Sequence, residues 1–427
     1  MARKMKDSGI EWIGEIPEGW ETINPKALFA QRKDRALKGE RQLTSSQQYG
    51  ILYQDEYMEL TGSKVVTVEK DFDILKHVEA GDFVISMRSF QGGLEYSTKS
   101  GAISSAYVML VPNLELVYPR FYRWLLKSSV YIDALQRTTN MVRDGQAMRY
   151  SNFAQVRLFT LPLDEQKSRA DFLDVKCSNI DKMLSKTRSS IEEYKKLKQA
   201  VITQAVTKGV RGERKMKDSG VEWIGAIPKD WEIKRLKSFC TIVDCKNRTP
   251  DVFPDGKYTV VRTTCIKDCS FSYEGSYQTD TTNFKAWTLK GQPHKGDIFF
   301  TREAPVGEAC LVPNADNLCM GQRVMFFRPE DNSDARYIMY SIYGPLVREY
   351  IASKNFGSTV GHLKLGQVAC IPIFYCPPLE QKEIADYLDA KCAEIDKLIA
   401  KKEQLVKELE SYKKSLIYEV VTGKREV

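Results

Sequence analysis

The chain has 427 residues, 42% hydrophobic and 28% charged, with a formal net charge of +8. This is the make-up of a globular protein of two or three domains, and the charge permits a polyanionic partner without requiring one. No run of eighteen apolar residues is present, which argues against a membrane-spanning helix, and Met1–Asp7 lacks the apolar core of a secretory signal, so a cytoplasmic, reducing compartment is expected.

In chain order, the sequence opens with a head, Lys4–Trp20, rich in Gly, Pro and Trp. It returns as Lys215–Trp231 with four changes in seventeen positions. Such composition predicts a loop with two aromatic anchors, Trp12 and Trp20, serving as a structural clasp. The first insert, residues 21–163, offers strands at Asp82–Ser86 and Tyr107–Val111 and a helix at Pro119–Leu135. Gly81-Asp82 reads as a turn opening a strand, and Gln91-Gly92-Gly93-Leu94 as another turn. The insert leaves through Leu161-Pro162-Leu163, a proline exit of the kind found just outside a helix start.

A long helix follows, Glu165–Lys208, and its copy is Glu380–Gly423. Over the first eighteen aligned positions twelve are identical: Glu165, Gln166, Lys167, Ala170, Asp171, Leu173, Asp174, Lys176, Cys177, Ile180, Asp181 and Lys182. Each copy then settles into steps of three and four. The seams predicted from them are Ile180, Met183, Thr187, Ser190, Tyr194, Leu197 and Val201 in the first, and Ile395, Leu398, Lys402, Leu405, Leu409, Tyr412 and Leu416 in the second. A helix of about 40 residues is about 60 Å long, too long for one small globule, so the two are expected to bury their seams against each other. Parallel pairing would set the two inserts side by side; antiparallel pairing, the expectation adopted, sets them at opposite ends about a pseudo-two-fold axis.

Between the helices the second head leads into residues 232–378. Strands are expected at Asp297–Thr301 and Arg323–Phe327, a helix at Ala335–Ser353, and a proline exit at Cys376-Pro377-Pro378. The inserts have similar lengths, 143 and 147 residues, but little shared sequence. A kept frame around divergent inserts suggests that each insert reads something different.

Catalytic chemistry is sparse. The three histidines, His77, His294 and His362, have no evident triad partners. There is no phosphate loop, no His-Glu-x-x-His pair and no Asp/Asn-Pro-Pro-aromatic motif of an adenine methyltransferase. No cofactor is therefore expected. Cys240-x4-Cys245 with Cys265-x3-Cys269 has the outline of a zinc site, but the spacing is loose and no histidine is near in sequence. Buried free thiols are the preferred reading, and Cys177 and Cys392 read as small core residues.

Binding chemistry is richer. Lys26, Arg32, Lys33, Arg35, Lys38 and Arg41 form one basic run. Arg137, Asn140, Arg143, Gln146, Arg149 and Asn152 form another. The second half has Asn247-Arg248-Thr249, Arg262-Thr263-Thr264 and Lys354–His362. Arginine reads guanine edges, asparagine and glutamine read adenine edges, and all of them also hold phosphates.

With these residues in view, the chain resembles a specificity (S) subunit of a Type I restriction–modification system over essentially its whole length. The resemblance is carried by the duplicated Glu-Gln helices and the Trp-Ile-Gly-x-Ile-Pro-x-x-Trp heads. Further matches are Gly296–Arg302, Gly357-Ser358-Thr359 and the Pro-Pro-Leu-Glu-Gln exit. In the first half Asp144-Gly145-Gln146-Ala147 stands in place of Gly-Ser-Thr, and Ser86-Met87-Arg88 in place of Thr-Arg. The resemblance implies an α+β fold with two α/β-mixed target-recognition domains separated by an antiparallel coiled coil. It divides the chain into residues 1–163 and 211–378 as recognition domains, and 164–210 and 379–427 as conserved helices. It implies a bipartite, asymmetric duplex DNA site, two methyltransferase subunits as partners, restriction subunits that can join, and a prokaryotic cytoplasm. The candidate DNA contacts are Arg88, Gln91, Arg143, Gln146 and Arg149 in the first half. In the second they are Asn247, Arg248, Arg262, Arg302, Lys354, Ser358, Thr359 and His362. A fused restriction–methylation enzyme and a protein-binding coiled-coil scaffold are the alternatives; the first lacks its methyltransferase motif.

Overall fold

A computed structural model describes residues 3–68, 72–86, 94–138, 149–355 and 361–427. Two compact units emerge, Met1–Arg188 with Gln404–Val427, and Ser189–Glu403. Two long helices, Leu163–Lys208 and Pro378–Val421, each contribute one part to either unit.

In the first unit the head is a hairpin, Met5–Ile10 against Gly14–Pro17, rather than the expected loop. Gly9 and Gly14 take positive φ (62° and 73°) at its turn, a conformation open to glycine at no steric cost. The hairpin delivers Trp20 into the core, fully buried and stacked 5.0 Å from Phe159. The main sheet is antiparallel throughout, in the order Phe29–Arg32, Tyr107–Pro112, Phe83–Ser86, Glu95–Tyr96. Alternate residues such as Phe83, Ile85, Val108 and Leu110 face a core closed by Phe121, Tyr122 and Leu125. The single helix expected at Pro119–Leu135 is two, Pro119–Leu126 and Ser129–Arg137. Ser128 breaks it: its backbone is extended (ψ 144°) and its Oγ donates to the Leu125 carbonyl. Serine competes in this way with helical hydrogen bonding.

The second unit has the same main sheet order, Cys240–Val243, Val324–Pro329, Ile298–Thr301, Ala309–Leu311. Its head is again a hairpin, Met216–Asp218 with Ala226–Pro228, and Trp231 is fully buried. A three-stranded sheet is added, in which Tyr258–Val261 pairs antiparallel with Tyr277–Thr279 and parallel with Leu318–Met320. Here too the expected helix is split, into Ala335–Ile342 and Pro345–Asn355. Gly344-Pro345 is the cause, since the residue before a proline is disfavoured in helical conformation.

The repeated positions of the long helices fasten each sheet to its helix. Gln166 accepts from the Tyr118 backbone N–H and donates to the Leu116 and Leu161 carbonyls; Gln381 accepts from Asp334 N–H and donates to Cys376. Asp174 receives Arg120, Arg123 (2.6 Å) and the Trp124 indole (2.7 Å). Its counterpart Asp389 receives Arg336 (2.8 Å) and the Tyr340 hydroxyl (2.8 Å). Glu165 holds Arg3 and the Trp20 indole, and the fully buried Glu380 holds Arg214. Burial alone would raise the Glu165 carboxyl, but hydrogen bonds from Arg3, Arg169 and Trp20 outweigh it and hold it down at about 2.

The two helices run antiparallel in each unit. In the first, Arg169 donates to the Val420 carbonyl, Asp181 pairs with Lys413 and Arg188 with Glu410. In the second, Tyr194 lies under Lys402 and Lys198 pairs with Asp396. The period of the seam is as expected but half of its frame is not. Ile180, Thr187, Tyr194 and Val201 lie inward; Met183 and Leu197 are exposed, and Leu184, Ile191 and Lys198 take the other seam places. The second copy departs in a similar way: Ile399, Val406 and Lys413 are half-buried, Leu405 and Tyr412 are exposed, and Leu398 stays half-buried. Residues three and four apart both neighbour a helix position, and hydropathy favoured the wrong one at Leu197 over Lys198 and at Tyr412 over Lys413. Lys198 and Lys413 lay their aliphatic stems in the seam and reach an aspartate of the partner helix at 2.7 and 2.6 Å, as long amphipathic side chains do.

The ten cysteines are free. Burial pushes the Cys177 and Cys392 thiols both up to about 11, as suits core residues. Among the described residues no group of side chains is arranged to hold a metal ion, and no helix is long and apolar enough to cross a membrane.

Candidate nucleic-acid interface

The antiparallel sheet of the second unit gathers three loops at one end. Cys240–Val243 runs out into Asp244–Arg248, Ile298–Thr301 runs out into Arg302 and Glu303, and the turn Gly321–Arg323 leads into Val324. Val243 faces Phe326 and Thr301 faces Val324 across the ladders, so register alone makes these loops neighbours. The parallel pairing of Tyr258–Val261 with Leu318–Met320 adds Arg262, and Gly321 N–H donates to the Val261 carbonyl at 2.8 Å.

Arg302 sits deep in this cluster, its side chain 12% exposed. Its Nη1 donates to Asp244 (2.9 Å) and its Nη2 to Asn247 (3.4 Å). Its backbone N–H donates to the Arg323 carbonyl and its own carbonyl accepts from Leu363. Arg323 Nε lies 3.3 Å from Glu303, whose other oxygen is 3.5 Å from His362 Nδ1. The Cys245 thiol donates to the Gln322 carbonyl at 2.9 Å, and burial pushes that thiol up to about 11. Arg248 and Lys246 both lie over the Trp287 ring, at 5.4 and 4.6 Å, and the Trp287 indole donates to the Arg248 carbonyl. Thr249, Arg262, Thr263, Gln322 and Arg323 line a cavity of about 90 Å³ on this surface. Chemically the cluster offers guanidinium, amide and hydroxyl donors braced by carboxylates, a set suited to base edges and phosphates.

Of the residues expected from sequence, Asn247, Arg248, Arg262, Arg302 and His362 therefore come together. Lys354, at the end of its helix and 5.4 Å from the Tyr350 ring, is not joined to them by any contact among the described residues. Ser358 and Thr359 lie outside the described residues, as do Arg88, Gln91, Arg143 and Gln146 of the first half. Arg149 is exposed and opens the short helix Tyr150–Phe153; its backbone N–H donates to Asn152, whose amide donates to the Thr138 carbonyl.

The basic run of the first half is partly structural. Arg32 is held by Asp82 (2.6 Å) and Asp34 (3.0 Å), and Arg41 pairs with Asp55 and lies 3.6 Å over the Tyr53 ring. In the second unit Arg328 serves Asp297 as Arg32 serves Asp82, from a different strand. Lys246, Trp287, Gln322 and Arg323 were missed in the sequence. Lys246 adjoins an expected contact, whereas Arg323 was assigned to a strand, and only the ladder register sets it beside Arg302. A larger cavity, about 290 Å³ beside the long helices, is lined by Lys195, Lys198 and Lys267 and equally by Asp268, Asp396 and Glu403. Its balanced charge does not suit a polyanion.

Comparison with known proteins gives a consistent picture. Residues 228–408 match the family model of the Type I restriction modification DNA specificity domain. The chain is 23% identical over 428 residues to the putative type I restriction enzyme MjaX specificity subunit of Methanocaldococcus jannaschii, covering 96% of this chain and 95% of that one. It is also 23% identical to the MjaVIII specificity subunit of the same organism, covering 96% and 93%. Among solved structures, a chain from work on complex assembly and conformational transition of the type I R-M system superposes with TM-score 0.69 at 14% identity, over 96% of this chain and 99% of that one. The HsdS subunit from Thermoanaerobacter tengcongensis superposes with TM-score 0.50 at 15% identity, over 96% and 98%. Residues 228–408 thus carry the signature of that DNA specificity domain, and over nearly its whole length the chain is similar to type I restriction–modification specificity subunits.

Proposed function

We propose that this chain recognises duplex DNA for a type I restriction–modification complex, each half reading one part of a bipartite, asymmetric site. Residues 1–163 and 211–378 act as the recognition domains, and 164–210 and 379–427 as the helices that carry them. The observation that supports this best is the loop cluster of the second unit, where Asn247, Arg248, Arg262, Arg302 and Arg323 converge at one end of a sheet that the first unit also possesses. The chain carries no catalytic step of its own. It directs two methyltransferase subunits, with restriction subunits able to join, in a prokaryotic cytoplasm.

The test replaces residues 232–378 with the corresponding segment of a relative and sequences the methylated sites in cells that also express the methyltransferase partner. One half of the methylated motif should change and the other remain. A change in both halves would show that the domains are not independent readers. Binding of the assembled complex to duplex DNA that is insensitive to salt and to sequence would sink the DNA-reading role itself, since phosphate contacts release counterions.

A further inference from the structure

Besides Arg248, which lies over the Trp287 ring, three arginines face the loop cluster of the second unit, and they are not equivalent. Arg302, the residue that sequence singles out, has both Nη atoms engaged by Asp244 and Asn247 and is largely buried. Arg262 is exposed and donates Nη1 to the Gly275 carbonyl at 3.3 Å. Arg323 differs from both. Its side chain is 43% exposed, and its one ion pair is through Nε, to Glu303 at 3.3 Å. Among the described residues its two Nη atoms have no other partner. Its backbone is fixed as well, because its carbonyl accepts from Arg302 N–H and Val324 beyond it pairs with Thr301.

We infer that Arg323 is the principal guanine reader of the second half-site, that Glu303 is its positioning residue, and that Arg302 braces the loops and touches no base. This rests on the DNA-reading role proposed above. An ion pair at the Nε edge leaves both Nη groups free to act as a fork. That fork matches guanine O6 and N7 in the major groove. A carboxylate behind the fork attracts the guanidinium and biases it toward this pose, which lowers the ordering cost of binding. The arrangement also fits the setting of Arg302: its Nη1 is taken by Asp244, its Nη2 lies 3.4 Å from Asn247, and with 12% of the side chain exposed little of its fork reaches solvent. The cavity shared by Arg323, Gln322, Arg262 and Thr249 gives the adjoining base edge a place to sit.

The experiment uses the full chain assembled with its methyltransferase partner. The wild-type methylated motif is read first, which locates every guanine of the second half-site. Binding is then measured on duplexes carrying 7-deazaguanine, which lacks the N7 acceptor, at each of those guanines in turn. For wild type one position should lose roughly ten- to hundredfold in affinity. R323A should lose a similar factor on the natural duplex and nothing further when that same position is 7-deazaguanine. R323K retains the charge but not the fork, so it should keep the salt dependence of wild type while losing the discrimination. E303Q should weaken discrimination at that base alone.

Four outcomes overturn the inference. They are a second half-site without guanine, R323A losing affinity equally on all sequences with a salt slope reduced by about one, an effect confined to the first half-site, and R323A and R323K both reading the site as wild type does. A wild-type complex that shows no preferred sequence would instead remove the DNA-reading role. The two failures are thus distinguishable.

Discussion

Trp20 and Trp231 hold equivalent places in the two units and both are fully buried, yet only Trp20 donates its indole N–H to a carboxylate, Glu165 at 3.1 Å. Trp231 Nε1 is buried without a partner among the described residues. The same contrast runs through the neighbouring positions. In the first unit Arg169, 1% exposed, joins Glu165 to the Val420 and Arg425 carbonyls. In the second its counterpart is Ile384, packed in an apolar cluster, and Glu380 is instead held by Arg214 and, at 3.8 Å, Arg211. Both junctions keep a carboxylate paired with arginine, but the first buries the arginine, Arg169, while the second buries the carboxylate, Glu380, and fills the place of Arg169 with the apolar Ile384. The junction must hold the head, the sheet and the helix end together, but the chemistry that does so is free to vary.

That contrast is sharpest when the carboxylates are removed. Glu165→Ala strands the buried Arg169 and should cost about 3–5 kcal/mol. Glu380→Ala should cost less, about 1–3 kcal/mol, because Arg214 keeps Asp230 at 2.6 Å and Arg211 keeps Glu383 at 2.7 Å. Calorimetric unfolding of the two variants checks this; equal losses would mean that the two junctions are energetically alike.

Next in size is the indole itself. Trp20→Phe loses a hydrogen bond to a charged group, about 1.5–3 kcal/mol, in addition to its packing change. Trp231→Phe loses packing only and removes an unpaired donor. Denaturant midpoints that shift by the same amount in both variants would contradict the contrast.

Acid should act on the first junction specifically. The Glu165 carboxyl is depressed to about 2 in the folded state from an ordinary value of 4.5. Its contribution is therefore fully present above pH 4.5 and is lost as the pH falls towards 2. With part of the side chain exposed, about 2 kcal/mol is expected. The stability difference between wild type and Glu165→Gln, measured across that range, should shrink with acid. A difference that stays constant down to pH 2 would remove Glu165 as its source.

The smallest effects should be the seam pairs, where the units agree. Asp181→Ala frees Lys413 and Asp396→Ala frees Lys198, each an ion pair with an exposed carboxylate. Each should cost about 0.2–1 kcal/mol and less in high salt, with the two values indistinguishable by urea titration.

Much of this architecture was legible in the residues. The doubled Glu-Gln helices, Trp20 and its copy Trp231 as buried anchors, and the strands opening at Gly81-Asp82 and Gly296-Asp297 follow from repetition, period and turn chemistry, which act over a few neighbouring positions; the other expected anchor, Trp12, is only partly buried and its copy Trp223 is 64% exposed. Roles for Asp171, Asp174 and Gln166 were not legible, although their identity in both copies was plain. Their partners, Arg120 and Tyr118 among them, lie some fifty positions away in a segment whose sequence is not repeated. The interface divides in the same way. Asn247, Arg248, Arg262 and Arg302 are visible as polar stretches, while Arg323 is disguised as the first residue of a strand.

The sequence by itself determined the duplication, the two long helices and their seven-residue period, because each is a matter of local pattern. Only the tertiary structure decided which of the i+3 and i+4 neighbours enters the seam, since that depends on where the antiparallel partner lies and on an aspartate there to receive Lys198 or Lys413. Only the tertiary structure, too, decided which arginine keeps a free fork. Arg302 and Arg323 carry the same side chain, and what separates them is the set of carboxylates and amides that ladder register brings to each.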